Sequence, residues 1–163
     1  MFRISPEKPD DYYEVEYLLD LTFAPGRTAL SSYRLRDGVP KVAEFSLVAR
    51  DEYDILAGSI SYWPILIGDA GHDALLLGPV AVHPTRQGEG LGALLIDESI
   101  SRARHAGVTR IVLVGDEPYY RRFGFTKADF LEMPPPTNPD RLLHRALVEG
   151  AFDGVEGVIR KAS

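Results

Sequence analysis

The spacing of hydrophobic positions along the chain predicts first a strand and then helices. Residues 2–4 alternate weakly, as a short strand does, and apolar residues at helical spacing then continue to about Phe23. The pair Asp10-Asp11 precedes this run and can cap its helix. After the break at Pro25-Gly26, a second and shorter helix is predicted over Thr28–Arg36.

From Glu44 the hydrophobic period changes to two, which is typical of half-buried strands. Residues 44–50 and 55–67 alternate on either side of a polar turn and predict an antiparallel hairpin. Residues 74–82 are apolar almost throughout, so we expect a central strand that is covered on both faces. Gly78-Pro79 interrupts this strand, and because proline donates no backbone hydrogen bond, a bulge or local splaying is predicted there.

The second half of the chain has the pattern of a strand, a loop and a helix. A glycine-rich loop at 88–92 opens a helix over about 91–105, which Gly107 ends, and a buried strand follows at 110–114. A short helical stretch is predicted next, over Pro118–Arg122.

The C-terminal tail is less regular. The three prolines at 134–136 exclude a helix or a central strand at that point. A helical turn at 139–144 and a late strand at 146–149 are predicted after them. Because no repeat and no linker divides the chain, we expect a single domain over residues 1–163.

Composition narrows the functional classes. Of the 163 residues, 45% are apolar and 26% are charged, which is typical of a globular domain and excludes a wholly disordered chain. The formal net charge of -6 disfavours nucleic acid or an anionic membrane as the main partner. The absence of cysteine excludes disulfides and thiolate chemistry. Since no segment approaches the length of a membrane span, we expect a cytoplasmic protein.

The candidate chemistry is concentrated in the loop between the apolar strand and the helix that follows it. Gly88, Gly90 and Gly92 alternate there, where the helix begins. Glycines permit positive φ angles and let backbone N–H groups converge on an anion near the positive end of the helix dipole. An ordinary strand-to-helix turn does not need three glycines in five residues, so we interpret the loop as a phosphate site.

Two other phosphate-binding patterns compete for this loop. No Gly-Lys-Ser/Thr follows it, which excludes a P-loop. Residues 88–93 formally match the dinucleotide pattern G-x-G-x-x-A, and Asp116 follows the next strand. However, about eighty residues of helices and antiparallel strands precede the loop, which does not suit a doubly wound parallel sheet. A nicotinamide-dependent oxidoreductase is therefore the third interpretation.

The loop resembles the central signature of the GNAT superfamily of N-acetyltransferases, Gln/Arg-x-x-Gly-x-Gly/Ala at a strand, loop and helix junction. Gln87, Gly90 and Gly92 match that signature. Residues 120–125 read Tyr-Arg-Arg-Phe-Gly-Phe and are similar to the family's Tyr-x-x-x-Gly-Phe segment, which follows the next strand. Both motifs stand in the family's order and at its separation. The resemblance covers residues 74–125 and is greatest to a broad bacterial branch whose acceptors are largely unassigned.

The resemblance implies a fold and a reaction. The fold is α/β, with a mixed, mainly antiparallel sheet of six or seven strands that is flanked by helices and splayed in its middle, as in acyl-CoA N-acyltransferases. The reaction is direct attack of a primary amine on acetyl-coenzyme A in a ternary complex, without a metal. The co-substrate would contact Val80, Ala81, Val82, Gln87, Gly88, Glu89, Gly90, Leu91, Gly92, Ala93, Asp116 and Phe123.

Within this scheme each segment has a role. The N–H groups of residues 88–93 would hold the pyrophosphate, and the pantetheine arm would run along residues 80–82. Tyr120 would be the general acid that protonates the departing thiolate. Tyr119 is its rival, because adjacent residues on a helical turn point about 100° apart and only one can face the sulfur.

The remaining roles stay open at the level of sequence. Candidates for the general base are Glu44, His72, Asp73, His83 and Asp116, with a water chain as the alternative. Tyr62 and Trp63 are candidates for the wall of an acceptor pocket, and Arg121 and Arg122 for attracting phosphates. The acceptor is a small-molecule or peptide amine, with cationic amines mildly favoured by the negative net charge. A homodimer stays open, and a non-catalytic acyl-coenzyme A sensor is the alternative function.

Overall fold

The computed structural model describes residues 1–23, 31–135 and 137–162. The predicted break at Pro25-Gly26 and the start of the second predicted helix lie outside these residues. The helices are α1 (Tyr12–Thr22), α2 (Ser31–Arg34), α3 (Leu91–His105) and α4 (Glu117–Tyr120). The strands are β1 (Arg3–Pro6), β2 (Leu47–Arg50), β3 (Leu56–Ile67), β4 (His72–Val82), β5 (Arg110–Val114), β6 (Thr126–Lys127), β7 (Leu131–Glu132), β8 (Leu142–Ala146) and β9 (Gly157–Lys161).

The strands form a mixed and mostly antiparallel sheet in the order β1-β2-β3-β4-β5-β8-β6, with β9 pairing both β3 and β7. Only β4 with β5 and β7 with β9 run parallel among the described strands. This architecture confirms the expected fold class, and it excludes the doubly wound parallel sheet of a dinucleotide-binding domain. Nine strands occur in the described residues, instead of six or seven, because strands of two residues such as β6 and β7 have no readable period.

Helices cover both faces of the sheet and create separate cores. On one face, α3 buries its apolar stripe, including Leu91, Leu95 and Ile100, against β2 to β5 and β8. On the other face, α1 packs Val15, Leu18 and Leu19 against Val48, Leu56 and Ala81. Strand β4 contributes to both cores, because its successive side chains point to opposite faces. The prediction of a central strand covered on both faces is thereby confirmed.

Three local predictions were wrong. The late strand lies at Leu142–Ala146 and not at 146–149, and the helical turn before it spans only Pro139–Arg141. Pairing decides this boundary, since Val114 of β5 aligns with Leu142 and Arg110 with Ala146. The Asp11 side chain does not cap α1 but accepts a hydrogen bond from the Lys8 N–H at 2.8 Å, and it pairs with Arg50 of β2 at 2.7 Å.

Candidate active site

A gap opens in the middle of the sheet between β4 and β5. These strands pair only at Leu75 with Ile111 and at Leu76 with Val112, and beyond this point the ladder stops. Directly afterwards, the register of β4 against β3 shifts, so that Gly78 and Pro79 together stand opposite one residue of β3. The bulge and the splaying that the sequence predicted at Gly78-Pro79 are both confirmed.

Past the bulge, β4 keeps one paired edge and one open edge. Residues 80–82 pair with residues 58–60 of β3 on one side. Their other edge faces the gap and has no strand partner in the described sheet. Val80 and Val82 pack against the α3 core, whereas Ala81 is buried against α1. The open edge can therefore accept an extended ligand through backbone hydrogen bonds alone.

The glycine loop connects the open edge of β4 to the N-terminus of α3. Gly88 and Gly90 have φ angles of 87° and 78°, values that side-chain-bearing residues rarely adopt. A Cβ added at either position would meet no atom within 4 Å, so the space over the loop is open. Because the first N–H groups of a helix have no intrahelical partner, this surface offers donors to an anion.

Arg86 anchors the loop, a role that sequence reasoning missed. Its guanidinium bonds the carboxylate of Glu89 within the loop at 3.0 Å and that of Asp51 at 3.2 Å. Asp51 in turn accepts N–H bonds from Tyr53 and Ile55. These backbone bonds, led by that of Ile55, together with Arg86, lower the pKa of Asp51, although burial opposes the shift. No local sequence signal pairs Arg86 with a residue 35 positions earlier.

The side chains of the two adjacent tyrosines point in different directions. Their rings are perpendicular, at 88°, with centroids 5.0 Å apart. A Cβ added at Gly92 would lie 3.4 Å from the Tyr119 hydroxyl, so Tyr119 reaches over the first turn of α3. The Tyr120 ring instead lies on Gly115, where β5 ends, since a Cβ there would be 2.5 Å from its Cε2 atom. The sequence did not predict the contact between Gly115 and Tyr120, because a close approach across a turn leaves no periodic signal.

Tyr120 is half-buried and packs edge-on against Phe125, with ring centroids 6.1 Å apart. Burial raises the pKa of Tyr120 to about 12, the neighbouring Tyr119 adds to the shift, and Arg141 opposes it. The phenol therefore holds its proton throughout the neutral range. Phe123 is buried in the same core, 5.5 Å from the Tyr119 ring, and supports both tyrosines from beneath.

Three of the five candidate bases lie away from the gap. Glu44 lines a surface cavity with Glu98 and His105 of α3. His72 begins β4, eight residues before Val80, which at about 3.3 Å a residue places it roughly 26 Å from the open edge. Asp73 lies on the closed side of the splay, where Arg110 donates to its backbone carbonyl at 2.8 Å.

The other two candidate bases lie near the gap. The His83 Nδ1 atom accepts a bond from the Thr85 N–H at 3.2 Å and so caps the turn Pro84–Arg86. Asp116 is exposed at the start of α4, and its carbonyl accepts the Tyr120 N–H at 3.0 Å.

The structure also places the two candidates for the pocket wall and the two candidate arginines. Tyr62, a candidate for the wall of an acceptor pocket, is instead fully buried under α3 and bonds the Ser99 hydroxyl at 2.8 Å. Trp63 points to the opposite face and is partly exposed beside the bulge. Arg121 pairs with Glu117 at 3.4 Å, whereas the guanidinium of Arg122 lies 5.1 Å from the centroid of the Tyr119 ring.

Within the described ranges, no group of three or more His, Asp or Glu residues is arranged to hold a metal ion. No helix in the same ranges is long and apolar enough to cross a membrane.

Comparison with known proteins agrees with this geometry. The Acetyltransferase (GNAT) family model matches residues 12–125. The Escherichia coli (strain K12) protein named Uncharacterized N-acetyltransferase YhbS is 28% identical over 160 residues, which cover 96% of this chain and 93% of that protein. The crystal structure of E. coli YhbS with CoA superposes at a TM-score of 0.85 and 27% identity, over 98% of this chain and 89% of that chain.

A GNAT family acetyltransferase from Brucella melitensis, solved with acetyl-CoA, is 32% identical at a TM-score of 0.65, over 94% of this chain and 99% of that chain. The two sequence motifs, the splayed sheet and the family model all indicate the same family. The chain is therefore an acetyltransferase and belongs to the GNAT family.

Proposed function

We propose that this protein transfers the acetyl group of acetyl-coenzyme A to a primary amine by direct attack in a ternary complex. One observation carries the proposal. The open edge of residues 80–82 joins the N-terminus of α3 at one end and the gap beside Tyr120 at the other. A single elongated thioester can thus place its phosphates at the helix and its acyl group in the gap.

The binding half of the proposal assigns backbone groups to the coenzyme. Residues 87–93 would hold the pyrophosphate, with the 15-residue helix α3 supplying its positive dipole end. Residues 80–82 would pair with the pantetheine amides along the open edge. Asp116 and Phe123 would border the arm from the side of β5 and α4, the first from the loop and the second from beneath Tyr119.

In the proposed reaction, one bond forms at the acetyl carbon and one bond breaks there. The amine nitrogen forms a bond to the acetyl carbon, a backbone N–H of the open edge stabilises the oxyanion, and the carbon–sulfur bond then breaks. Tyr120 donates its hydroxyl hydrogen bond to the sulfur as negative charge develops there. A phenol with a pKa of about 12 is a weaker acid than a thiol, so this bond stabilises the sulfur as it departs as a thiolate. The thiolate then takes its proton from water, which balances the proton that the amine loses to solvent.

The attacking amine must also lose a proton. The His83 Nδ1 atom already accepts a hydrogen bond from the Thr85 N–H, and Asp116 is exposed to solvent. The other three candidate bases, Glu44, His72 and Asp73, lie away from the gap. We therefore assign proton removal to a water chain that leads from the gap to solvent.

Thiol release tests the proposal directly. The protein is mixed with acetyl-coenzyme A and a panel of polyamines, aminoglycosides, amino acids and peptides, and free thiol and the acetylated amine are both measured. We expect release that depends on one class of amine. Tight binding of acetyl-coenzyme A in calorimetry without amine-dependent release would instead support a non-catalytic acyl-coenzyme A sensor.

A further inference from the structure

The bulge in β4 takes the Gly78 peptide out of the register of the sheet. Gly78 and Pro79 have no aligned partner in the ladders with β3 or β5. Gly78 adopts a φ of 131°, which turns its peptide out of the regular pleat. Gly78 is only partly buried, but its carbonyl lies beside the sheet, where a protein donor can stabilise it by a modest net gain.

Trp63 supplies that donor. Its indole Nε1–H donates to the Gly78 carbonyl oxygen at 2.8 Å, which is a well-formed hydrogen bond. An Arg36 guanidinium nitrogen lies at the outer limit of hydrogen bonding from the same oxygen, at 3.5 Å. Trp63 stands on β3 opposite Leu76, the last residue of β4 that pairs with β5. The indole therefore reaches across β4 to the point where the gap opens.

The indole ring is itself held from several sides. The Arg36 guanidinium carbon lies 4.5 Å from the Trp63 ring centroid, and it also stacks 3.4 Å from the ring centroid of Tyr33. The Lys41 ammonium lies 5.4 Å from the Trp63 ring and bonds both carboxylate oxygens of Glu7 at 3.0 Å. A ring fixed in this way can define the place of the carbonyl that it binds.

We propose that Trp63 is a positioning residue for acetyl transfer, which holds the Gly78 carbonyl on its own face of the sheet and so keeps the β4 edge aligned with the acyl group. The inference rests on the proposed function. The phosphates would be held by residues 87–93, well beyond the bulge. Loss of the indole bond should therefore slow turnover much more than it weakens coenzyme binding, although residues 80–82 would also pair with the pantetheine arm.

The single tryptophan of the chain permits a sharp test. Global replacement of Trp63 by 3-benzothienylalanine exchanges the N–H for sulfur and keeps the bicyclic shape. Protein made in the same way with 4-fluorotryptophan retains the N–H and is the matched reference. We expect kcat of the benzothienyl protein to be about tenfold lower than that of the reference, with the Kd for acetyl-coenzyme A within about twofold.

A second comparison separates positioning from general loss of stability. Tyr62→Phe removes the neighbouring buried hydroxyl bond to Ser99 on the opposite face of β3. This variant should lose thermal stability and keep its kcat. Equal kcat in the benzothienyl and fluorotryptophan proteins overturns the inference, as does a weakening of acetyl-coenzyme A binding as large as the fall in kcat.

A test without turnover keeps the inference independent of the proposed function. If the natural protein releases no thiol with any amine, the proposed function fails. Amide hydrogen exchange over residues 77–82 then decides the inference, because an unanchored bulge should exchange at least severalfold faster in the benzothienyl protein than in the reference. Equal exchange in the two proteins overturns the role of Trp63.

Discussion

Gly115 gives the most direct access to the role of Tyr120. The Tyr120 ring lies so close to Gly115 that a Cβ at this position would be 2.5 Å from Cε2 and 2.9 Å from Cδ2. Carbon atoms in contact prefer about 3.5 Å or more, so Gly115→Ala must push the ring away by about 1 Å. Leu113 closes another side, since its Cδ1 atom would be 3.0 Å from the new methyl group.

A displacement of this size is large for a group that has to meet a reacting sulfur. A misplacement of about 1 Å can cost on the order of a hundredfold in rate. We expect Gly115→Ala to lower kcat by about that factor and to leave the Kd for acetyl-coenzyme A nearly unchanged, because residues 87–93, which would hold the pyrophosphate, belong to a different loop and helix. Overpacking should also cost about 1–3 kcal/mol of stability, which a thermal melt will show.

The assay is steady-state thiol release below the melting temperature, in four proteins that form a double-mutant cycle. Gly115→Ala is compared in the natural protein and in the Tyr120→Phe background. If Gly115 acts through the Tyr120 hydroxyl, the second substitution should have almost no further effect on kcat once the hydroxyl is gone. Additive losses, or normal turnover in Gly115→Ala, would refute the reasoning.

Three further predictions concern the tyrosines, the loop and the first helix. Tyr120→Phe should lower kcat by about a hundredfold at constant acetyl-coenzyme A affinity, whereas Tyr119→Phe should be mild in kcat; steady-state kinetics that reverse this order would exchange the two assignments. Gly90→Val should abolish acetyl-coenzyme A binding in calorimetry in a protein that still melts cooperatively, because valine strongly disfavours a φ of 78°; unchanged affinity would contradict the loop's role. Asp11→Asn should cost about 1–3 kcal/mol at pH 7, since it breaks a nearly buried pair with Arg50, and urea unfolding should show the same loss.

The last prediction also has a defined pH dependence. The pKa of Asp11 lies below its ordinary value of 3.8: burial opposes this shift, but the Lys8 N–H and Arg50 together outweigh it. A depressed pKa stabilises the fold above 3.8 and loses this contribution as the pH falls through the folded-state value. The difference between the natural protein and Asp11→Asn should therefore shrink as the pH falls below 3.8. A constant difference would show that the carboxylate charge is irrelevant.

Several features followed from local patterns alone. The strand at 110–114 and the helix at 91–105 have the predicted bounds, because a buried apolar run and a sustained 3.6-residue stripe are readable without neighbours. The glycine loop could also be predicted from the sequence, since a positive φ angle at one position favours glycine at that position whatever its neighbours are. The Gly78-Pro79 bulge followed from the missing proline donor.

Other features depended on partners that are distant in sequence. The bounds of the strand at Leu142–Ala146 are set by its pairing with β5. The polar C-terminal tail has no hydrophobic period from which this strand could be predicted. Tyr62 and Trp63 are neighbours, yet only the packing of α3 shows that the first is core and the second reaches the bulge. The different positions of Tyr119 and Tyr120 likewise depend on Gly92 and Gly115. These glycines lie outside α4, one beside the Tyr119 hydroxyl and the other beneath the Tyr120 ring. Spacing along a chain reports local conformation, whereas the meeting of side chains from separate elements is decided by the packing of the whole sheet.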